Sequence, residues 1–248
     1  WTAKPDLSEM EKVIFNFENP LRGVRIGIVG KYTELIESYN SLDESLHHSA
    51  VANQLKLVPV YIDAEDLEKG DFSLLEKVDG ILVPGGFGER GTEGKIKAIQ
   101  YAREKSVPFF GICLGLQLAM IEFTRHVVGI KDATSEEFGS KGSPVIHYMV
   151  GQTKDGAKGG SMRLGAYDCD LTKGSLAHKI YGANKISERH RHRLEVNNAY
   201  VDKVKEAGML VSGVNPQLDL VEVIELPNHP SFIACQFHPE FTSVSYTH

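Results

Sequence analysis

A strand-like apolar run, Val107-Pro108-Phe109-Phe110, ends in Gly111-Ile112-Cys113-Leu114-Gly115 and passes at once into a helical pattern over 116–126. A strand becomes a helix that abruptly only through a strained turn, and the two glycines supply neighbours without Cβ atoms that let such a turn close. The pattern is that of a nucleophile elbow with cysteine at the reactive position. The Cys113 thiol would stand at a helix N-terminus, where free backbone N–H groups and the helix dipole favour a thiolate and can hold a developing oxyanion. Taken alone, the same residues read equally well as a buried structural cysteine beside two incidental glycines.

The rest of the chain supplies a frame for that turn. Strand-like runs at 24–30, 57–62, 80–84 and 107–112 alternate with helical patterns at 41–55 and 93–105. Alternation of this kind predicts an α/β fold: a doubly wound, mostly parallel central sheet with helices on both faces. Ligands of such sheets gather beyond the carboxyl ends of the strands, where Cys113 and the loop Pro84-Gly85-Gly86-Phe87-Gly88 both fall. After residue 131 the pattern changes. Strands predicted at 145–150, 162–171, 186–197, 209–214 and 220–226, with helices near 175–181 and 199–207, would add antiparallel pairs to the sheet or fold over it. Residues 1–23 differ from the body of the chain: Ser8 and Glu11 fit a capping box, and Met10, Val13, Ile14 and Phe17 form an apolar stripe. That segment reads as a linker from a preceding domain.

Composition narrows the function classes. A chain of 248 residues, 42% hydrophobic, can bury a full-sized core. A net charge of −6 leaves no basic footprint for nucleic acid. No apolar run approaches the roughly 20 residues of a membrane span, and the N-terminus does not read as a signal peptide. Cys113, Cys169 and Cys235 are too few and too scattered for a disulfide framework or a paired-cysteine metal site, which points to a reducing cytoplasm.

Two stretches bear on the chemistry. The Gly85-Gly86 loop lacks the spacing of a phosphate-binding or dinucleotide-binding loop. It is either a plain turn or one side of an oxyanion hole, with the Gly86 amide paired to that of Leu114. Near the C-terminus an apolar strand runs into Phe237-His238-Pro239-Glu240. The proline holds His238 extended, so Glu240 should share its face and orient the imidazole for a Cys–His pair. In isolation His-Pro-Glu is more often a surface turn, and the basic run at 188–193 reads mainly as alternating side chains on an exposed strand.

Gly111-Ile112-Cys113-Leu114-Gly115-Leu116-Gln117 together with Phe237-His238-Pro239-Glu240 resembles the class I, or triad, glutamine amidotransferases. Finer motifs are similar to the glutaminase domains of the CTP synthase family: Ile28-Val29-Gly30-Lys31-Tyr32, Val83-Pro84-Gly85-Gly86-Phe87-Gly88-Glu89-Arg90-Gly91, Gly160-Ser161-Met162-Arg163-Leu164-Gly165 and Glu188-Arg189-His190-Arg191-His192-Arg193. The resemblance covers about residue 24 to the C-terminus. It implies that Cys113 attacks the glutamine side-chain amide, His238 shuttles the proton and Glu240 orients His238. It also implies glutamine contacts at Gly86, Leu114, Gln117, Glu137 and Arg193, the last two for the α-ammonium and α-carboxylate. No cofactor is implied for this domain. In the whole enzyme it implies an N-terminal synthetase domain that uses ATP and Mg to aminate UTP, activation by GTP through Phe87, Arg90 and the 152–160 loop, and a homotetramer. Leu116 stands where that family commonly has methionine, a swap of similar volume. The family usually continues through a further helix beyond residue 248. Other readings are a different cysteine hydrolase of similar fold, such as a γ-glutamyl peptidase, and a non-catalytic regulatory module.

Overall fold

A computed structural model describes residues 6–31, 39–139, 141–149 and 162–244. The motif residues Tyr32, Gly160 and Ser161, the loop 152–160 and the tail 245–248 lie outside the described residues. The first half of the chain runs α1 (Ser8–Glu18), β1 (Arg22–Gly30), α2 (Asn40–Ala52), β2 (Leu55–Asp63), α3 (Ala64–Glu68), β3 (Gly80–Val83), α4 (Thr92–Lys105), β4 (Phe109–Ile112) and α5 (Leu114–Phe123). The second half runs β5 (Ala133–Ser135), β6 (Ser143–Tyr148), β7 (Arg163–Leu171), α6 (Leu176–Tyr181), β8 (Lys185–His192), β9 (Leu194–Val196), α7 (Val201–Glu206), β10 (Leu210–Asn215), β11 (Leu220–Glu225) and β12 (Phe232–Cys235).

Among the described residues, nine strands form one sheet in the order β2-β1-β3-β4-β12-β11-β10-β7-β8. The first five run parallel and the last four are added antiparallel. Every residue of the central strand β3 is buried, as expected of a strand covered on both faces. Side chains alternate between two cores. Val29, Val83 and Phe109 pack with α4 and α5 on one face, while Ile28, Leu82 and Ile112 pack with Leu42 of α2 and Ala177 of α6 on the other. Among the described residues, no helix is long and apolar enough to cross a membrane.

The stretch predicted as a single strand over 186–197 is divided at Arg193. β8 stays in the large sheet beside β7, and β9 leaves it to pair with β6 in a second sheet ordered β5-β6-β9. The reason lies in α5. All ten of its residues are buried, so it has no face to offer water and needs cover on the side away from the large sheet. The small sheet packs there. The polar stretch 132–138 likewise contains a short strand, β5, and a 3-10 turn, Glu136–Phe138, where no element was predicted.

The N-terminal helix also departs from expectation. Ser8 is its first residue and not its cap: the Asp6 carboxylate accepts from the Ser8 N–H at 3.0 Å, and the helix has no side-chain cap of its own. The apolar stripe forms but is not buried, with Met10, Ile14 and Phe17 exposed by 63%, 53% and 68%. The helix is tied to the body by Asn16, whose Nδ2 donates to the Val51 carbonyl at 3.0 Å.

Candidate active site

Strand register assembles the site. Gly111 of β4 is level with Val83 of β3 on one side and with Ala234 of β12 on the other. Three parallel strands therefore end within about one residue of each other, and their carboxyl ends deliver the Gly85-Gly86 loop, Cys113 and the segment carrying His238 to one place. Glycine, cysteine and histidine lie far apart in sequence, and β12 brings the last of them home by pairing parallel to β4 although it follows an antiparallel strand.

Cys113 is the hinge between β4 and α5, with φ 53° and ψ −99°. A non-glycine residue there stores on the order of 1–3 kcal/mol of strain, held by the surrounding packing. Its N–H donates to the Cys235 carbonyl at 2.7 Å, and its own carbonyl accepts from the Gln117 N–H at 3.2 Å. The flanking glycines are required by close approach. A Cβ on Gly111 would sit 2.8 Å from the Gly115 carbonyl carbon and 2.9 Å from Ala234 Cβ, and one on Gly115 would fall on the Val83 carbonyl oxygen. Leu114 opens α5, so its N–H has no partner within the helix.

His238 Nδ1 meets Glu240 Oε1 at 2.7 Å, which leaves Nε2 as the nitrogen available to the Cys113 thiol. The pairing is not reached on a continuous strand, as i and i+2 spacing suggested. β12 ends at Cys235, and Pro239–Phe241 is a 3-10 turn that swings the Glu240 carboxylate back to the ring. The His238 N–H donates to the Arg189 carbonyl at 2.8 Å, anchoring the segment to β8. Burial alone lowers the pKa of His238. Hydrogen bonds and charge from Cys113 and Glu240 outweigh it and raise the value to about 10. A raised histidine pKa means that the proton, and its contribution to stability, is fully present below the ordinary value near 6.5 and is lost as pH rises toward 10. The imidazole is thus held as imidazolium through neutral pH, the form that pairs with a thiolate.

Cys113, His238 and Glu240 share a cavity of about 300 Å³ with Gly85, Gly86, Phe87, residues 39–42, Arg191 and Phe241. Sequence reasoning missed Gly85 and Arg191. A Cβ on Gly85 would lie 2.8 Å from His238 Cε1. Gly85→Ala is therefore expected to push the imidazole off line and to lower any activity that needs the Cys113–His238 pair by roughly 100-fold, the cost of misplacing a reacting group by about 1 Å. The thermal midpoint should hardly move, because only a ring at a cavity wall is displaced. Arg191 faces the cavity because side chains alternate along β8: Arg189 and Arg191 point outward, while Glu188, His190 and His192 are buried.

The other predicted residues are placed behind or beside the cavity. Gln117 is buried one turn into α5, with Nε2 donating to the Leu194 carbonyl at 3.1 Å and to Gln236 Oε1 at 3.2 Å. Glu137 stands on the 3-10 turn after β5, and its Oε1 accepts from the Gly88 N–H at 2.9 Å, bracing the glycine loop from outside. Arg193 is half-buried at the junction of β8 and β9. Phe87 is exposed at the cavity mouth, and its carbonyl accepts from Lys31 Nζ. Arg90 pairs with Glu65 and lines a separate surface pocket with Glu68 and Arg125. Among the described residues, no group of three or more His, Cys, Asp or Glu is arranged to hold a metal ion.

Comparison with known proteins agrees with this geometry. The family model for class I glutamine amidotransferases matches residues 34–248. CTP synthase of Geobacter metallireducens is 54% identical over 246 residues, which are 98% of this chain and 46% of that protein. CTP synthase of Bdellovibrio bacteriovorus is 56% identical over 246 residues, 97% of this chain and 46% of that protein. The chain thus spans about half the length of the curated relatives it matches. Among solved structures, the glutaminase domain of Trypanosoma brucei CTPS with bound acivicin is 42% identical with a TM-score of 0.84, covering 90% of this chain and 88% of that one. A cysteine elbow, an imidazolium held by a carboxylate at matching strand ends, and these likenesses together show that the chain belongs to the class I glutamine amidotransferases, as a glutaminase domain of the CTP synthase kind.

Proposed function

We propose that the chain hydrolyses the side-chain amide of L-glutamine through a Cys113–His238–Glu240 triad. The carrying observation is the strained Cys113 sharing one cavity with an imidazole whose Nδ1 is fixed by Glu240 at 2.7 Å. The thiolate attacks the amide carbon, and the oxygen gains charge between the N–H groups of Gly86 and Leu114. His238 gives its proton to the departing nitrogen, ammonia leaves, and a γ-glutamyl thioester remains. Water then attacks with His238 as base and releases glutamate and the thiol. Gln117, Glu137 and Arg193 are the proposed glutamine contacts, with Glu137 taking the α-ammonium and Arg193 the α-carboxylate of a zwitterion.

In the whole enzyme the ammonia would serve an N-terminal synthetase domain, joined through residues 1–23, that aminates UTP with ATP and Mg. The 24–248 segment would be the glutaminase unit of a homotetramer in the cytoplasm. Phe87 and Arg90, on the segment beyond Gly86, are the residues through which a GTP activator would act on the oxyanion loop. Three free, buried cysteines suit a reducing compartment.

The test is covalent labelling by an electrophilic glutamine analogue such as acivicin, read by intact mass and peptide mapping. A single adduct on Cys113, absent in Cys113→Ala, blocked by excess glutamine and weakened at least tenfold in Arg193→Ala, is expected for a site that clamps the zwitterion with a charge-assisted pair. Adducts on Cys169 or Cys235, or none at all, would overturn the proposal.

A further inference from the structure

Gln236 follows β12 directly and is fully buried, with its side-chain amide against the nucleophile. Its Nε2 lies 3.7 Å from Cys113 Sγ, and its Oε1 accepts from Gln117 Nε2 at 3.2 Å. Its backbone N–H is engaged with the Glu222 carbonyl at 2.8 Å, which fixes where the side chain starts.

The orientation of this amide is set by its neighbours. His192 Nδ1 lies 3.0 Å from the Leu194 carbonyl. A carbonyl only accepts, so Nδ1 carries the hydrogen. Burial pushes the pKa of His192 down to about 3, so the ring is neutral and its Nε2 accepts from His190 Nδ1 at 2.8 Å. The same Leu194 carbonyl accepts one hydrogen of Gln117 Nε2, whose second hydrogen goes to Gln236 Oε1. With its oxygen occupied as an acceptor, Gln236 has only its NH₂ group to present to Cys113. Every donor between the histidine pair and the sulfur is therefore assigned, and each of these side chains is buried from water.

We propose that Gln236 is a further partner of the nucleophile, donating a hydrogen bond to Cys113 Sγ that stabilises the thiolate. Cys113 as a residue is only 3% exposed, so a protein donor to its sulfur carries more weight there than it would at the surface. The bond is strongest when the sulfur is charged. It favours the thiolate before attack and again when the thioester breaks and the sulfur departs. The inference rests on Cys113 being the nucleophile of the proposed glutaminase.

The pH profile of Cys113 alkylation by iodoacetamide tests it, with peptide mapping to separate Cys113 from Cys169 and Cys235. Iodoacetamide needs a thiolate but no glutamine pocket. Gln236→Met keeps the volume and loses the donor; it is expected to slow alkylation below neutral pH about tenfold and to move the midpoint up by about one pH unit, with the alkaline limit retained. Gln236→Glu puts an acceptor beside the sulfur and should move the midpoint in the same direction, which covers the case of a Met variant that does not fold. Profiles that superimpose on the parent would overturn the assignment. If the glutamine analogue fails on the parent while Gln236→Met still shifts the iodoacetamide profile, the glutaminase reading falls and only the hydrogen bond from Gln236 to the sulfur stands; labelling by the analogue with unshifted profiles leaves the glutaminase reading and overturns the role of Gln236.

Discussion

Replacing Gly115 with alanine is expected to destabilise the domain by about 3 kcal/mol or more and to abolish labelling of Cys113, although alanine is the better helix former by about 1 kcal/mol. The two effects oppose each other, and distance decides between them. An added Cβ would fall on the Val83 carbonyl oxygen and lie 3.2 Å from the Val83 carbonyl carbon. Neither side can give way: Val83 is fully buried in β3, level with Gly111, and Gly111 itself rests on the Gly115 backbone. Relief would require α5 to lift off the sheet. That would undo the turn that holds Cys113 at positive φ and move the Leu114 amide away from its proposed place in the oxyanion hole. Urea midpoints with the labelling assay check this. A variant as stable as the parent, or one that labels normally, would show that the elbow has slack that the packing denies.

Arg163→Met is expected to cost about 3–5 kcal/mol above neutral pH, near pH ~9, because it leaves buried carboxylates without their cation. Arg163 is almost wholly buried and donates to Glu195 Oε1 at 3.0 Å and to Glu222 Oε1 at 2.6 Å. Glu195 belongs to β9 and Glu222 to β11, so one guanidinium fastens the small sheet to the large one. It also lies 4.5 Å from the Tyr167 ring. Around it stand His190, with Nε2 3.6 Å from Glu222 Oε2, and His192, with Nδ1 3.4 Å from Glu195 Oε1. Burial first, and then the Arg163 charge itself, push both histidines down, to about 2 and about 3, so neither shares the positive charge while Arg163 is present.

The loss should depend on pH in a defined direction. Burial, only partly offset by Arg163, raises Glu222 to about 7 and Glu195 to about 8. A carboxyl raised in the folded state favours folding fully below its ordinary pKa near 4.5, and that contribution is lost as pH rises through 7 and 8. Without the guanidinium both values rise further, so the variant suffers most above neutral pH. The gap from the parent should shrink on acidification toward pH ~5, where both carboxyls are protonated in either protein. Urea unfolding at several pH values reads this directly. A gap that stayed constant or grew toward acid would mean that Arg163 stabilises by packing on Tyr167 and not by charge.

Much of the site was legible in the sequence because local rules governed it. The Gly111–Gly115 pair marks the elbow because the two backbones meet within the turn, although Gly115 also answers to the Val83 carbonyl and Gly111 to Ala234 on the neighbouring strands. Pro239 sets His238 in place beside a carboxylate two residues on, even though the connection is a 3-10 turn. Alternation of β and α runs predicted the parallel half, since each strand carries its own apolar signature. Where reading failed, the cause was distant. Residues 186–197 alternate like one strand, and nothing local marks Arg193 as the point where the chain changes sheets; the need to cover α5 decides it. The α1 stripe has helical spacing, yet spacing does not say what it packs against.

Sequence alone determined that this chain would turn from strand to helix at Cys113, and that a histidine with an adjacent carboxylate would come after it, because backbone sterics and side-chain chemistry act within a few residues. Only the tertiary structure decided that β12 slots in parallel beside β4, that Gly85 rather than Gly86 is the glycine that makes room for the imidazole, and that Gln236, held by Gln117, reaches the sulfur. Those outcomes depend on strand register and on how buried polar groups share a limited set of partners, and both are settled between segments more than 100 residues apart, such as Cys113 and Gln236.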